Sequence, residues 1–176
     1  YPGTGFPDEV GSPAAWGTNI NLPLLPGTGD EGLHRLYDGL IQHILDDFEP
    51  ELIINSAGQD NHFSDPLASM AVTAQGYAKL ADKLQADIAV LEGGYSVEAA
   101  LPYVNTGIIL AMADMDYGKV VEPDQSDLRQ QDERCNKRVD QLIAETGELW
   151  RSRLNTRKEL LAKCGDSWSR KKSIYY

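Results

Sequence analysis

Two short stretches hold the side chains best suited to chemistry. In "INSAGQDNHFSDP", residues 54–66, two carboxylates (Asp60 and Asp65), an imidazole (His62) and side-chain amides follow an apolar run. In "LEGGYS", residues 91–96, two glycines precede a tyrosine. A carboxylate such as Asp60 at the mouth of a sheet is costly to bury unless a metal ion, an arginine or backbone N–H groups compensate it. Arginine is scarce, Arg35 being the only one ahead of residue 129, which tilts the expectation towards metal. The Asp60-x-His62 spacing can offer an oxygen and a nitrogen to one ion. One Asp and one His do not complete a catalytic zinc site, which takes three protein ligands and an open position. His34 and His43 sit in a helical segment with no evident route to that point. An Asx-turn closed by Asp60 or Asp65 ahead of Pro66 is the structural alternative.

At the second stretch, Gly93 and Gly94 let the backbone approach a ligand closely or take positive φ. Tyr95 is then held beside the same crevice, where a phenol O–H can polarise a carbonyl and stabilise an oxyanion. The alternative is a tyrosine that closes the core at a tight turn.

Both stretches must be positioned by regular elements. Thr28 and Glu31 have the spacing of a capping box, and Leu33, Leu36, Tyr37, Leu40, Ile41, Ile44, Leu45 and Phe48 recur at helical period until Pro50. "ELIINSAG" reads as a strand, a helix follows from about Thr73 to Leu84, and "ADIAVLEGG" reads as a strand buried on both faces. A third helix is expected from near Ser96, carrying Ala100, Leu101, Val104 and Ile108. Helix, strand, helix, strand, helix with short connections predicts an α/β fold, a parallel sheet flanked by helices. Ligands in such sheets gather beyond the carboxyl ends of the strands, where both motifs lie. Residues 1–32 read as a Gly- and Pro-rich loop around one short extended segment, "TNINLPL". Residues 125–176 form a charged helical tail, a hairpin or one long helix, with Val139, Leu142, Ile143, Leu149, Trp150 and Leu154 as its apolar stripe.

The chain of 176 residues is 41% hydrophobic, enough for one domain with a core. No apolar stretch approaches the roughly 18 to 20 residues of a membrane span, and no signal-peptide pattern opens the chain, so neither a membrane nor a secretory setting is expected and the cytoplasm is. The net charge of −11 is uneven, with 19 acidic and 4 basic side chains in residues 1–124 and 8 and 12 thereafter. An acidic body repels a phosphate backbone, so direct nucleic-acid binding is not expected, and cationic substrates are favoured. Cys135 and Cys164 form no C-x-x-C motif and read as free thiols. The chain opens inside "YPGTG" and closes on "KKSIYY", which reads as a piece of a longer protein.

"YPGTG", "NLPLLPGTGDEG", "PELIINSAGQDNHFSDPLA", "TAQGYAKL" and "VLEGGYS" together resemble, in order and spacing, the histone deacetylase and acetylpolyamine amidohydrolase family over roughly residues 1–112. The resemblance implies an arginase–deacetylase fold and zinc-dependent hydrolysis of an acetyl amide. Asp60 would be a zinc ligand and Tyr95 the hydrogen-bond donor to the acetyl carbonyl. Gly93 and Gly94 would line the substrate channel, with Tyr1 and Leu67 as its apolar walls, and His62 would have no ligand role. The family's Asp-x-His ligand pair and His-His general base are absent and would lie upstream of "YPGTG". Residues 1–124 would therefore be the C-terminal half of a deacetylase-like domain with an incomplete active site and a bare strand edge or apolar face. The implied partners are an acetyllysine or acetylpolyamine substrate and either the upstream half or another chain, with homo-oligomerisation through the tail as a further possibility. "LEGGY" with Glu92 resembles the branch containing class II deacetylases and bacterial polyamine deacetylases. A non-catalytic binding module on the same fold is the alternative function, and an arginase-like di-metal site is disfavoured because His62 stands where a second carboxylate would be required.

Overall fold

The apolar period that begins at Leu33 folds into one continuous helical rod: α1 (Asp30–Leu36), a π-helical stretch (Tyr37–Ile41) and α2 (Gln42–Phe48). The computed structural model describes residues 3–12 and 15–164, the side chains of 157–164 excepted. Leu36, Tyr37 and Leu40 form the buried face of the rod. Glu49, in left-handed conformation ahead of Pro50, ends it. The expected capping box does not form. Thr28 donates its hydroxyl to the Leu25 carbonyl at 2.7 Å, and the N-terminus of α1 is satisfied from far along the chain, Gln131 Oε1 accepting from Gly29 N–H at 2.8 Å and Gly32 N–H at 3.1 Å.

β1 (Ile54–Ala57) and β2 (Ile88–Leu91) pair in parallel, Ile54 opposite Ile88 and Ser56 opposite Val90. α3 (Ala74–Leu84) connects them. Its start is signalled locally, since Thr73 Oγ1 accepts from Gly76 N–H at 3.0 Å. α4 (Leu101–Met112) begins later than the expected Ser96, the preceding residues 97–100 forming turns. The core lies between α3, α4 and one sheet face, with Val72, Ala74, Tyr77, Ala81, Val104 and Ile108 buried and Ala57 and Ala89 packed against them. Gly107 allows the close approach of the two helices, because a Cβ there would stand 3.0 Å from the Ala78 Cβ.

β2 differs from its expectation. Ile88 and Val90 are 45% and 40% exposed, and Ile54 on β1 is 57% exposed. These side chains share the sheet face turned away from Ala57 and Ala89, and among the described residues nothing covers it. The continuous apolar run marked the strand correctly but not its burial on both faces: Ala89 packs on the core, while Ile88, Val90 and Leu91 are exposed.

The compact units are Leu24–Ile143 and, separately, Tyr1–Pro23 with Ala144–Tyr176. The division does not fall at residue 124, where the composition changes. Residues 125–143 stay with the first unit through Gln131, through an ion pair between Arg35 and Asp140 at 2.5 Å, and through Ile143, which packs over Gly39. The tail forms one long helix, α5 (Glu133–Cys164), with Cys135, Val139 and Leu142 buried. Cys135 is a free thiol, and the Cys164 side chain lies outside the described residues. In the second unit, "TNINLPL" forms no strand. Asn19 and Asn21 instead donate side-chain amides to the Glu9 carbonyl at 2.6 and 3.2 Å, a local alternative to ladder bonding. Trp150 is buried there with the Arg153 guanidinium 4.8 Å from its ring centre.

Candidate functional site

The parallel register brings both chemical motifs to the same sheet end. Pairing continues past the strands, Gln59 N–H donating to the Gly93 carbonyl at 3.4 Å. This sets the Asp60 carboxylate against the Gly93 backbone. A Cβ at Gly93 would lie 2.5 and 2.8 Å from the two carboxylate oxygens, and one at Gly94 would lie 2.8 Å from the Gln59 Cβ. Both glycines take positive φ, +87° and +109°. Their bareness is thus required twice, by the turn and by the carboxylate beside it.

Asp60 is half-buried, and among the described residues no side chain or backbone N–H pairs with its carboxylate. An unpaired anion at a strand end is the donor a cation would use. The described residues contain no group of three His, Cys, Asp or Glu able to hold a metal ion. The fit to zinc is therefore that of one oxygen ligand. His62 does not extend it. The ring is fully buried, with Nε2 2.8 Å from Glu122 Oε1 and Nδ1 2.9 Å from Ser64 Oγ. Both of its nitrogens are engaged within the protein, so the Asp60-x-His62 spacing does not present them together to an ion here. His34 is likewise engaged, its Nε2 2.9 Å from the Gly76 carbonyl.

Tyr95 projects from the second motif with its side chain 53% exposed, and Leu67 is 72% exposed. The two are tied by Asp65, which is buried. Its Oδ2 accepts from Tyr95 N–H at 2.6 Å and its Oδ1 from Leu67 N–H at 2.9 Å. The second of these bonds is the Asx-turn foreseen ahead of Pro66. Asp60, Gly93, Gly94, Tyr95 and Leu67 are thus gathered at linked loops, whereas Tyr1 lies outside the described residues.

Three features escaped sequence reasoning. Glu122 closes the network beneath the loop, accepting from Ala74 N–H at 2.5 Å and from Gln125 Nε2 at 3.0 Å besides meeting His62. Burial would raise its pKa, but the hydrogen bonds from His62, the Ala74 backbone and Gln125 outweigh burial and hold it at about 2. The Tyr77 hydroxyl accepts from Asn61 N–H at 3.1 Å, and burial, followed by neighbouring carboxylates, pushes its pKa well above the ordinary value despite that bond. Gln59 is fully buried, its amide paired with Asn105 through Nε2, while among the described residues Oε1 has no partner. Gln125 apart, which is three residues from Glu122, these partners lie 16 to 60 residues away, and no local pattern announces them.

The sequence profile of the histone deacetylase domain matches residues 1–111. This chain belongs to the histone deacetylase family. Among its relatives, a probable deacetylase of Archaeoglobus fulgidus is 50% identical over 133 residues, 70% of this chain and 37% of that protein. Histone deacetylase 14, chloroplastic, of Arabidopsis thaliana is 35% identical over 56% of this chain and 26% of its own length. The acetoin utilization protein AcuC of Bacillus subtilis is 32% identical over 70% of this chain and 34% of its own length. The crystal structure of the HDA15 HD domain superposes with a TM-score of 0.71 at 27% identity, covering 92% of this chain and 44% of that one. The histone deacetylase Clr3, at 20% identity and a TM-score of 0.69, supports the fold alone. This histone deacetylase family chain has the arginase–deacetylase fold and spans about a third of the length of the curated relatives it matches.

Proposed function

We propose that this chain is the part of a zinc-dependent deacetylase that supplies one metal ligand and the carbonyl-polarising tyrosine. The supporting observation is that the Asp60 carboxylate, unpartnered among the described residues, lies against the Gly93-Gly94-Tyr95 turn at one sheet end, in a chain of the histone deacetylase family. Asp60 would contribute an anionic oxygen, seated against Gly93. Bound zinc would act as a Lewis acid on the acetyl carbonyl and its attacking water. Tyr95 would donate its hydroxyl to the carbonyl oxygen as negative charge develops there, a contribution that grows towards the transition state. Gly93 and Gly94 leave room for an acyl-amine chain, and Leu67 offers it an apolar wall. The acidic body favours a cationic substrate, an acetyllysine peptide or an acetylpolyamine. The remaining ligands and the general base would come from the upstream half of the same domain or from another chain, so this chain alone would not turn over.

The test is made on the intact protein, with zinc measured by elemental analysis and deacetylation followed on an acetyllysine peptide and an N-acetylpolyamine. Asp60→Ala is expected to lose both zinc and turnover. Tyr95→Phe is expected to keep zinc and lose roughly 100-fold or more in kcat, as when one oxyanion-stabilising donor is removed. Full zinc occupancy in Asp60→Ala would refute the ligand assignment. An intact protein that binds acetylated peptide without zinc and without turnover would be a non-catalytic binding module.

A further inference from the structure

The polar network around the sheet end contains a second carboxylate, that of Asp65, which is buried. Asp65 is 6% exposed, and no described residue forms an ion pair with it. Both of its oxygens are used by backbone N–H groups of separate segments, Tyr95 at 2.6 Å and Leu67 at 2.9 Å. The loop that carries Asp65 is itself anchored. Asp65 N–H donates to the His62 carbonyl at 2.9 Å, and residues 61–63 are stitched to Val72 by paired backbone bonds of 3.1 and 3.0 Å. The fully buried His62–Glu122 pair holds this loop from beneath. A second tie runs in parallel, Ser64 Oγ and Ser96 Oγ sharing a hydrogen bond of 2.8 Å on either side of Asp65 and Tyr95.

From this arrangement we propose that Asp65 is a positioning residue, the clamp that sets the Tyr95 phenol and the Leu67 side chain relative to Asp60. The proposal rests on the deacetylase reading above. Its physical basis is entropy. Tyr95 follows two glycines at positive φ, the part of the chain with the most backbone freedom to lose. A buried, charge-assisted acceptor at its N–H fixes the backbone at the residue whose side chain must aim. One carboxylate serving two N–H groups also fixes the separation between the tyrosine and the apolar wall. An asparagine cannot replace it, because the amide keeps one acceptor and turns an NH2 group on the other donor.

The experiment substitutes Asp65→Asn in the intact protein, alone and with Tyr95→Phe, and measures zinc, kcat, KM and amide hydrogen exchange. Alone, it is expected to lower kcat by roughly 10- to 100-fold through misplacement of the phenol, with zinc unchanged and KM raised less than kcat is lowered, through the freed Leu67 wall. In the Tyr95→Phe background the further loss is expected to shrink below about threefold, because the group being positioned is already gone. Exchange at Tyr95 and Leu67 should accelerate while Val104, in the core, stays protected. Equal losses in both backgrounds, or an unchanged Tyr95 amide, would overturn the proposal. Should Asp65→Asn unfold, seen as lost protection at Val104, Asp65→Glu retains the charge and both acceptors one methylene further out. It is expected to fold with reduced kcat, and full kcat would overturn the proposal. If the unsubstituted protein neither holds zinc nor turns over, the deacetylase reading fails, and the exchange measurement alone still decides whether Asp65 holds Tyr95.

Discussion

Glu122 and His62 show how a buried charge can be kept ionised by geometry. Glu122 receives hydrogen bonds from an imidazole, a backbone amide and a glutamine, and its folded pKa of about 2 lies below the ordinary 4.5. A depressed carboxylate pKa means that the unfolded chain binds more protons between the two values. The stabilisation is then fully present above pH 4.5 and is lost as pH falls towards 2. Its size is on the order of 3 kcal/mol. Urea unfolding of the wild type and Glu122→Gln should differ most near pH 7, and the gap should close progressively below pH 4.5. A gap independent of pH would show that the carboxylate charge contributes nothing. The candidate site residues were legible at this scale, and their supports were not. Asp60 and Tyr95 follow apolar runs at strand ends, a local signal. Glu122 sits 60 residues from His62, and Tyr95 lies 30 from Asp65, separations that no periodicity encodes.

Helix starts illustrate the same division among elements. α3 begins where its own residues say, because Thr73 caps it from the adjacent position. α1 begins correctly within two residues of the expectation, yet for another reason. Its first amides are capped by Gln131, 102 residues from Gly29, while Thr28 turns back to Leu25. Gln131→Ala should therefore lower the unfolding free energy by about 1 kcal/mol or more, the usual range for a lost N-cap. Glu31→Ala should change it little, since no capping box is there to break. Equilibrium denaturation of the two variants separates the cases, and a larger loss in Glu31→Ala would contradict the observed cap. Helix period was readable because it is a property of consecutive residues. Cap partners were not, because any acceptor within reach satisfies the same N–H.

At the scale of the whole molecule, the sheet leaves apolar surface open among the described residues. Ile54, Ile88 and Val90 present an uncovered apolar face on two strands whose composition suits burial on both sides. In isolation the chain should bind a hydrophobic dye such as ANS. The double substitution Ile88→Thr and Val90→Thr should reduce that binding without changing the far-ultraviolet circular dichroism, and unchanged dye binding would place the responsible surface elsewhere. Within the described residues no helix is long and apolar enough to cross a membrane.

Taken alone, the sequence determined the order of helices and strands, their parallel pairing and the family, because periodicity, turn residues and motif spacing act over short stretches of chain. It also singled out Asp60, Gly93, Gly94 and Tyr95 and, through the family resemblance, Leu67 and Tyr1, of which the first five lie on linked loops in the structure. Tertiary structure decided what holds them there. The contact of the Asp60 carboxylate with Gly93, the clamp of Asp65 on Tyr95 and the His62–Glu122 pair arise where distant segments meet. Such hydrogen bonds are chosen by proximity after the core between α3, α4 and the sheet has formed, and a linear pattern carries no record of that choice.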